Sequence, residues 1–295
     1  MMLRTRLSVL VLLAVSLSHP AFGQGKTQTR LFLSADRARP GETVWAGLEL
    51  KMAPNWHTYW RNSGDAGLAT TIKWTLPPGV TAGDINWPLP EKSIVSSGDI
   101  SLCTYIYVDD VVLLVPIKLD TRLSASPVKL SAAIAWLECS DIGGCVPGTS
   151  IVSADLTVGN AAKPSFDAPL IELWRARVPQ ASPPPRATAR WESSGPGDIR
   201  TVVIDFESAG ASADFYPYEH QPADVEGTTE DLPAPPGHFR LRKVVRKYEG
   251  RWPEKLVGIL VTKGGSGNLA SMPGIPKADA VDIVIQSATR NSPLK

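Results

Sequence analysis

Two cysteines six positions apart, Cys139 and Cys145, frame the stretch CSDIGGCVPG at 139–148, and a third, Cys103, stands alone upstream. Sulfur at that spacing is open to three chemistries: a permanent staple, part of a metal site, or a disulfide that opens and closes. As a staple the pair is weak, because the chain-entropy model gives about 2.4 kcal/mol for a ring of roughly seven residues, against about 4.7 for a loop of about 100. As a metal site it lacks ligands: structural zinc takes four at short, repeated spacings, and past the N-terminal segment the histidines are His57, His220 and His238, far apart. Exchange needs one sulfur that is attacked and another that resolves the mixed disulfide. A turn position gives access, and the amides of Gly143-Gly144 favour a thiolate, whereas Asp141 disfavours a second negative charge beside it.

The elements that must position these sulfurs read as β. In ETVWAGLELKM, Val44, Ala46, Leu48, Leu50 and Met52 alternate with polar or small residues, the period of a half-buried strand. Similar runs lie at 29–35, 71–76, 111–119, 128–139 and 150–158, separated by turn clusters such as Pro77-Pro78-Gly79. Cys139 closes one run and Ser150 opens the next, so the cysteine stretch is expected to be a hairpin connection, with Gly143-Gly144 allowing the reversal. After Val158 the pattern changes: Phe166, Leu170, Leu173, Trp174 and Val178 fall at helical spacing, and a Pro-rich connector follows. A second β region is expected over about 191–290, with GASADFYPYEHQPADVEGTTEDLPAPPG as a polar surface excursion within it. The expected organisation is a leader at 1–23, a β-sandwich at 24–159, a linker with one short helix at 160–190 and a second sandwich at 191–290: an all-β, tandem two-domain chain.

The opening MMLRTRLSVLVLLAVSLSHPAFG, with Arg4 and Arg6, an apolar core and a small-residue end at Ala21-Phe22-Gly23, reads as a secretory signal. Its removal takes the formal charge of the chain from +1 to −1, a balance that points to neither nucleic acid nor a strongly charged substrate. No later run is long and apolar enough to span a bilayer. Export makes disulfides chemically possible, since oxidising compartments are where they persist.

Other features have plain readings. Cys103 reads as a buried thiol, with a third redox partner as the sharper alternative. Trp56, Trp60, Trp74 and Trp87 read as core rather than as a sugar-stacking platform, and His57 as a structural histidine. The basic run FRLRKVVRKYEGR at 239–251 reads as the wet face of a strand, and KGGSGN at 263–268 as a hairpin loop that lacks a phosphate-binding ending. No hydrolase, zinc-protease or dinucleotide fingerprint occurs, and no cofactor is expected.

The residues from Cys139 to Pro147 resemble the C-x-D-x-G-x-C-x-P signature of the periplasmic N-terminal domain of the thiol:disulfide interchange protein DsbD, with Asp141, Gly143 and Pro147 in matching places. NWHTYWRNSGDAGLATTIKWTLPPG at 55–79 and INWPLPEK at 85–92 are similar to the same region of DsbD-like and ScsB-like proteins, the latter linked to copper tolerance. The resemblance covers roughly residues 28–158. It implies an immunoglobulin-like sandwich that passes electrons to oxidised periplasmic proteins, with Cys145 forming the intermolecular disulfide and Cys139 resolving it. It also implies a cap loop near Gly98 to Thr104, where Ile100 and Leu102 would be apolar covers and Cys103 an unexpected neighbouring thiol. The chain has no counterpart of the family's transmembrane and thioredoxin-like domains and no Cys-x-x-Cys, so electrons are expected from a thioredoxin-fold or DsbD-like membrane partner. The alternatives are a non-catalytic binding or assembly module with a structural disulfide, and a copper-handling protein using thiolate softness toward Cu(I).

Overall fold

The computed structural model describes residues 26–98, 100–180, 186–192, 197–218, 223–264 and 276–287. The leader at 1–23 and most of the glycine-rich stretch at 263–268 lie outside them. In chain order the first strands are β1 (Gln28–Leu33), β2 (Ala35–Ala38), β3 (Thr43–Lys51), β4 (His57–Gly64), β5 (Thr71–Thr75), β6 (Val80–Ala82), β7 (Glu91–Ser97), β8 (Ile100–Val108), β9 (Asp110–Leu119), β10 (Ser126–Ser140), β11 (Gly144–Val158) and β12 (Lys163–Pro164). They form an immunoglobulin-like sandwich. One sheet has the order β1-β3-β9-β6; the other runs β12-β2-β11-β10-β4-β8-β7, with β5 also paired to β10.

Period-2 alternation builds this sandwich. Leu130, Ala132, Ile134 and Trp136 of β10 point inward with Leu48, Leu50, Leu113 and Ile117 of the facing sheet. Among the tryptophans, Trp56 and Trp60 are buried, while Trp74 and Trp87 are half-buried against the core.

A short helix, α1 (Ala168–Arg175), follows. Its buried residues are Ile171 and Trp174, whereas Phe166 and Leu173, expected on the apolar face, are exposed. The helix begins only at Ala168, so Phe166 precedes it, and the buried stripe is set by where the helix meets β3 and β9.

The remaining strands are β13 (Ala187–Trp191), β14 (Ile199–Glu207), β15 (Ser212–Pro217), β16 (Ala223–Val225), β17 (Glu230–Leu232), β18 (His238–Lys247), β19 (Lys255–Lys263) and β20 (Lys277–Gln286). They pair with one another in the order β15-β19-β20-β13-β14-β18-β16, with β17 on β18, around a core that includes Phe206, Phe215, Leu241, Leu260 and Ile283, and Gln180 of the preceding segment bridges to Asp279 of β20. The stretch read as a surface excursion therefore contributes three strands. Phe215 of β15 faces the second core, while its neighbour Tyr216 packs with Trp60, Cys103 and Tyr105 of the first group. Both faces of β15 are covered, which erases the alternation by which a strand is read from sequence.

Candidate functional site

The cysteine pair sits at the mouth of the longest hairpin. β10 and β11 pair over fifteen residues, from Ser126↔Val158 to Ser140↔Gly144, and Cys139 is the register partner of Cys145. Residues 141–143 make the reversal, and Gly144 closes it at φ 67°, in the left-handed region that side chains resist. The Gly143 amide donates to Ser140 Oγ at 2.8 Å, and a Cβ on Gly143 would overlap the Trp56 ring, so the turn lies against that indole. The two sulfurs are joined as a disulfide, with Cα atoms 4.1 Å apart. They are unequal: Cys139 is only 4% exposed, whereas Cys145 is exposed, as are Asp141 and Ile142 beside it.

The pair lies on the outer face of its sheet. On β10 the odd-numbered Leu137 and Cys139 face outward, and Trp136 and Glu138 face inward. Glu138 is fully buried and accepts hydrogen bonds from the Lys26 amide and the Thr27 hydroxyl, which anchors the start of β1 beneath the hairpin.

Across the sheet, Cys139 is paired with His57 of β4, and His57 in turn with Val108 of β8. Two residues on, Tyr59 packs with Cys139 and Ile106, and Val108 and Leu137 complete this small apolar cluster. His57 Nε2 lies 3.2 Å from the Tyr59 hydroxyl, the rings edge to face at 5.3 Å. Burial pulls the His57 pKa below its ordinary value, with Asp141 acting the other way, and burial raises that of Tyr59.

The cover over this cluster comes from the β4–β5 connection. Gly67, at φ 99°, lies flat on the Tyr59 ring, where any Cβ would overlap it, and its carbonyl accepts from Ser63 Oγ. Asp65 fixes the same segment to β8: its amide donates to the Cys103 carbonyl at 2.9 Å, and its carboxylate accepts from the Cys103 amide at 2.7 Å.

Of the residues expected at the site, the structure brings Cys139, Cys145 and Asp141 together and leaves the proposed cap elsewhere. Val108 marks the end of β8 nearest the pair, so Leu102 and Cys103 stand about 16–20 Å away along the strand, at about 3.3 Å per residue. Only the backbone of Ile100, which opens β8, is described, and its side chain lies outside the described residues. The reason is strand length: β7 and β8 pair from Glu91↔Ile106 to Ser97↔Ile100, which carries their turn far from the cysteine hairpin.

Cys103 is instead buried, 1% exposed, between the two groups of strands. Gly227 abuts it so closely that a Cβ there would overlap its Sγ. Nearby, Lys243 is fully buried and donates to the Gly227 carbonyl at 2.9 Å and to Thr229 Oγ1 at 3.0 Å; burial pushes its pKa down to about 7. Asp214 accepts from Thr229 and pairs with Lys92 at 2.8 Å. Burial raises the Cys103 thiol pKa, partly offset by Lys92 and Lys243. Lys243 thus points inward with Leu241 and Val245, while its basic neighbours Arg240, Arg242 and Arg246 pair with Asp205, with Glu192 and Glu230, and with Glu226.

In the sequence His57 reads as structural, and Tyr59 does not stand out. The alternation in WHTYW held the signal: His57 and Tyr59 share a face opposite Trp56 and Trp60. That this face meets Cys139 is a matter of strand pairing alone.

Residues 29–156 match the family described as thiol:disulfide interchange protein DsbD, N-terminal. They form a DsbD-type N-terminal domain. Among curated proteins no sequence match is found. Among solved structures, the N-terminal periplasmic domain of ScsB from Proteus mirabilis is similar at 19% identity, covering 91% of this chain and 96% of that one, with a TM-score of 0.61. At that identity the likeness is one of fold, and it extends past the DsbD-type domain into the second group of strands. Two others overlap the chain broadly without sharing its fold closely. They are the C-terminal domain of the Streptococcus agalactiae antigen I/II polypeptide BspA (10% identity, 88% and 99% covered, TM-score 0.17) and a type II cohesin dyad from Acetivibrio cellulolyticus (11%, 90% and 99%, 0.19). No helix among the described residues of the DsbD-type domain or beyond it is long and apolar enough to cross a membrane.

Proposed function

We propose that the chain is a periplasmic thiol–disulfide exchange module that takes electrons from a thioredoxin-fold or DsbD-like membrane donor and passes them to oxidised periplasmic proteins. The observation that carries this reading is the unequal pair: a disulfide between register partners at a turn, one sulfur open to solvent and the other walled by Tyr59, Ile106, Val108 and Leu137. A second protein can reach Cys145, so Cys145 is the sulfur that forms the mixed disulfide. Cys139, held opposite it, is placed to resolve that intermediate.

The balance is that of two successive exchanges. The Cys145 thiolate attacks a client disulfide, forms one S–S bond and releases one client thiolate; Cys139 then attacks Cys145 Sγ and releases the second. The client gains two electrons and two protons, and the pair returns to the disulfide. A donor dithiol reverses the sequence. The DsbD-type match and the ScsB-like fold support the same reading.

The test is trapping. A Cys139→Ser chain, which keeps Cys145 without its resolver, is expected to accumulate disulfide-linked thioredoxin-fold partners, and a Cys145→Ser chain to accumulate none. A reduction potential for the 139/145 pair below about −300 mV, the range of inert structural bonds, would sink the proposal in favour of a structural disulfide.

A further inference from the structure

Resolution of a mixed disulfide requires the second thiol to lose a proton, and Cys139 stands where water is scarce. It is 4% exposed, and Tyr59, Ile106, Val108 and Leu137 wall it in. The group paired with it across the sheet is His57. Register partners in an antiparallel pair present their side chains on one face, with Cβ atoms about 4.5–5.5 Å apart, and Cys145 is the next residue in that row. The three side chains therefore line up across β4, β10 and β11.

We infer that His57 is the general base for Cys139, taking its proton as the sulfur attacks Cys145 Sγ and returning it to the departing client thiolate. This rests on the exchange reading above. In the step, the Cys139 S–H bond breaks toward the imidazole, the Cys139–Cys145 bond forms and the Cys145–client bond breaks with its electron pair on the client sulfur. The imidazolium then protonates that thiolate, so no outside acid or reductant enters.

The surroundings suit both states of the ring. Burial lowers the His57 pKa, which keeps the imidazole neutral and able to accept at neutral pH, and the Tyr59 hydroxyl at 3.2 Å from Nε2 orients it. Once protonated, the ring is offset by Asp141 on the turn, the carboxylate whose charge favours the imidazolium. Asp109 and Asp110 lie exposed past Val108, the β8 residues packed in the cluster with Cys139 are the apolar Ile106 and Val108, and Glu91 of β7, the register partner of Ile106, is exposed. Asp141 thus has two consequences: it disfavours a thiolate at the turn and stabilises the cation that resolution transiently needs.

The experiment follows the two sulfurs separately. The reduced full chain is mixed with an aromatic disulfide, 5,5′-dithiobis(2-nitrobenzoate), by stopped flow. Attack by Cys145 releases one coloured thiolate, and resolution by Cys139 releases a second. The parent is expected to show a second phase whose rate rises with pH through an inflection below the ordinary imidazole value. His57→Gln should slow that phase by roughly 100-fold, the lower end of what a positioned acid–base group contributes. It should also remove the inflection and leave the first phase unchanged. Asp141→Asn, on an exposed turn where folding is not at stake, should move the inflection to lower pH. A purely structural histidine would not move this profile. If the parent releases two thiolates and both variants keep its second-phase rate and profile, the base assignment is overturned while the exchange reading stands. If the parent releases only one, the exchange reading falls and the base assignment with it.

Discussion

The DsbD-type domain holds its cysteines in two surroundings. At the β10–β11 mouth, Cys145 is exposed and bonded to a buried partner, with a histidine in register and a carboxylate on the turn. At the far part of β8, Cys103 is enclosed by Gly227, Tyr105 and Tyr216, with Lys243 close by. Both sites place sulfur near a nitrogen base, but only the first has a path for a second protein. The comparison teaches that access, rather than the presence of a thiol and a base, sets the proposed exchange site apart from a packing site.

The largest expected difference comes from removing each sulfur in turn. Cys145→Ser should abolish exchange with a model disulfide, whereas Cys103→Ala should leave the exchange rate unchanged and lower stability by about 1 kcal/mol, the loss of one buried heavy atom, read by denaturant unfolding. The cover offers a sharper version. Gly67→Val forces a side chain into the Tyr59 ring at a positive φ, at a cost of about 1–3 kcal/mol. In the reduced protein it should speed alkylation of Cys139, read by mass spectrometry, with Cys103 still protected.

The buried site should reveal itself through pH. Unfolded, Lys243 holds its proton to about 10.5, and folded only to about 7. Between these values the unfolded chain binds more protons, so stability should rise with pH. The rise should end near pH 9, where the unfolded Cys103 ionises before the folded one. Denaturant melts between about pH 7 and 9 should show this slope in the parent and a flatter one in Lys243→Met; an equal slope in both would place the effect elsewhere. The smallest effect belongs to the exposed pairs on β18: Glu192→Gln, which takes away one of the two carboxylates on Arg242 and leaves Glu230, should cost under about 1 kcal/mol by the same melts.

The cysteine hairpin was legible because its signals are local. Alternation runs into Cys139 and out from Ser150, and the two glycines supply the reversal. The helix was legible in place but not in face, since Phe166 and Leu173 turned outward and Ile171 inward. The cap was misplaced because β8 is long, and no local pattern states how far a hairpin reaches past its neighbours. Lys243 was hidden in a basic run because a buried lysine and a wet one have the same letter, and β15 because both its faces are covered.

By itself, the sequence determined the β character of the chain, the turn that joins Cys139 to Cys145 and the polar and apolar faces of most strands. These depend on side-chain period and backbone freedom within a few residues. Only the tertiary structure decided that His57 and Tyr59 meet Cys139, that the β4–β5 segment covers them, and that Cys103 is sealed against Gly227. Each of those contacts joins residues far apart in the chain, and their partners are fixed by strand register and by the packing of one sheet on another.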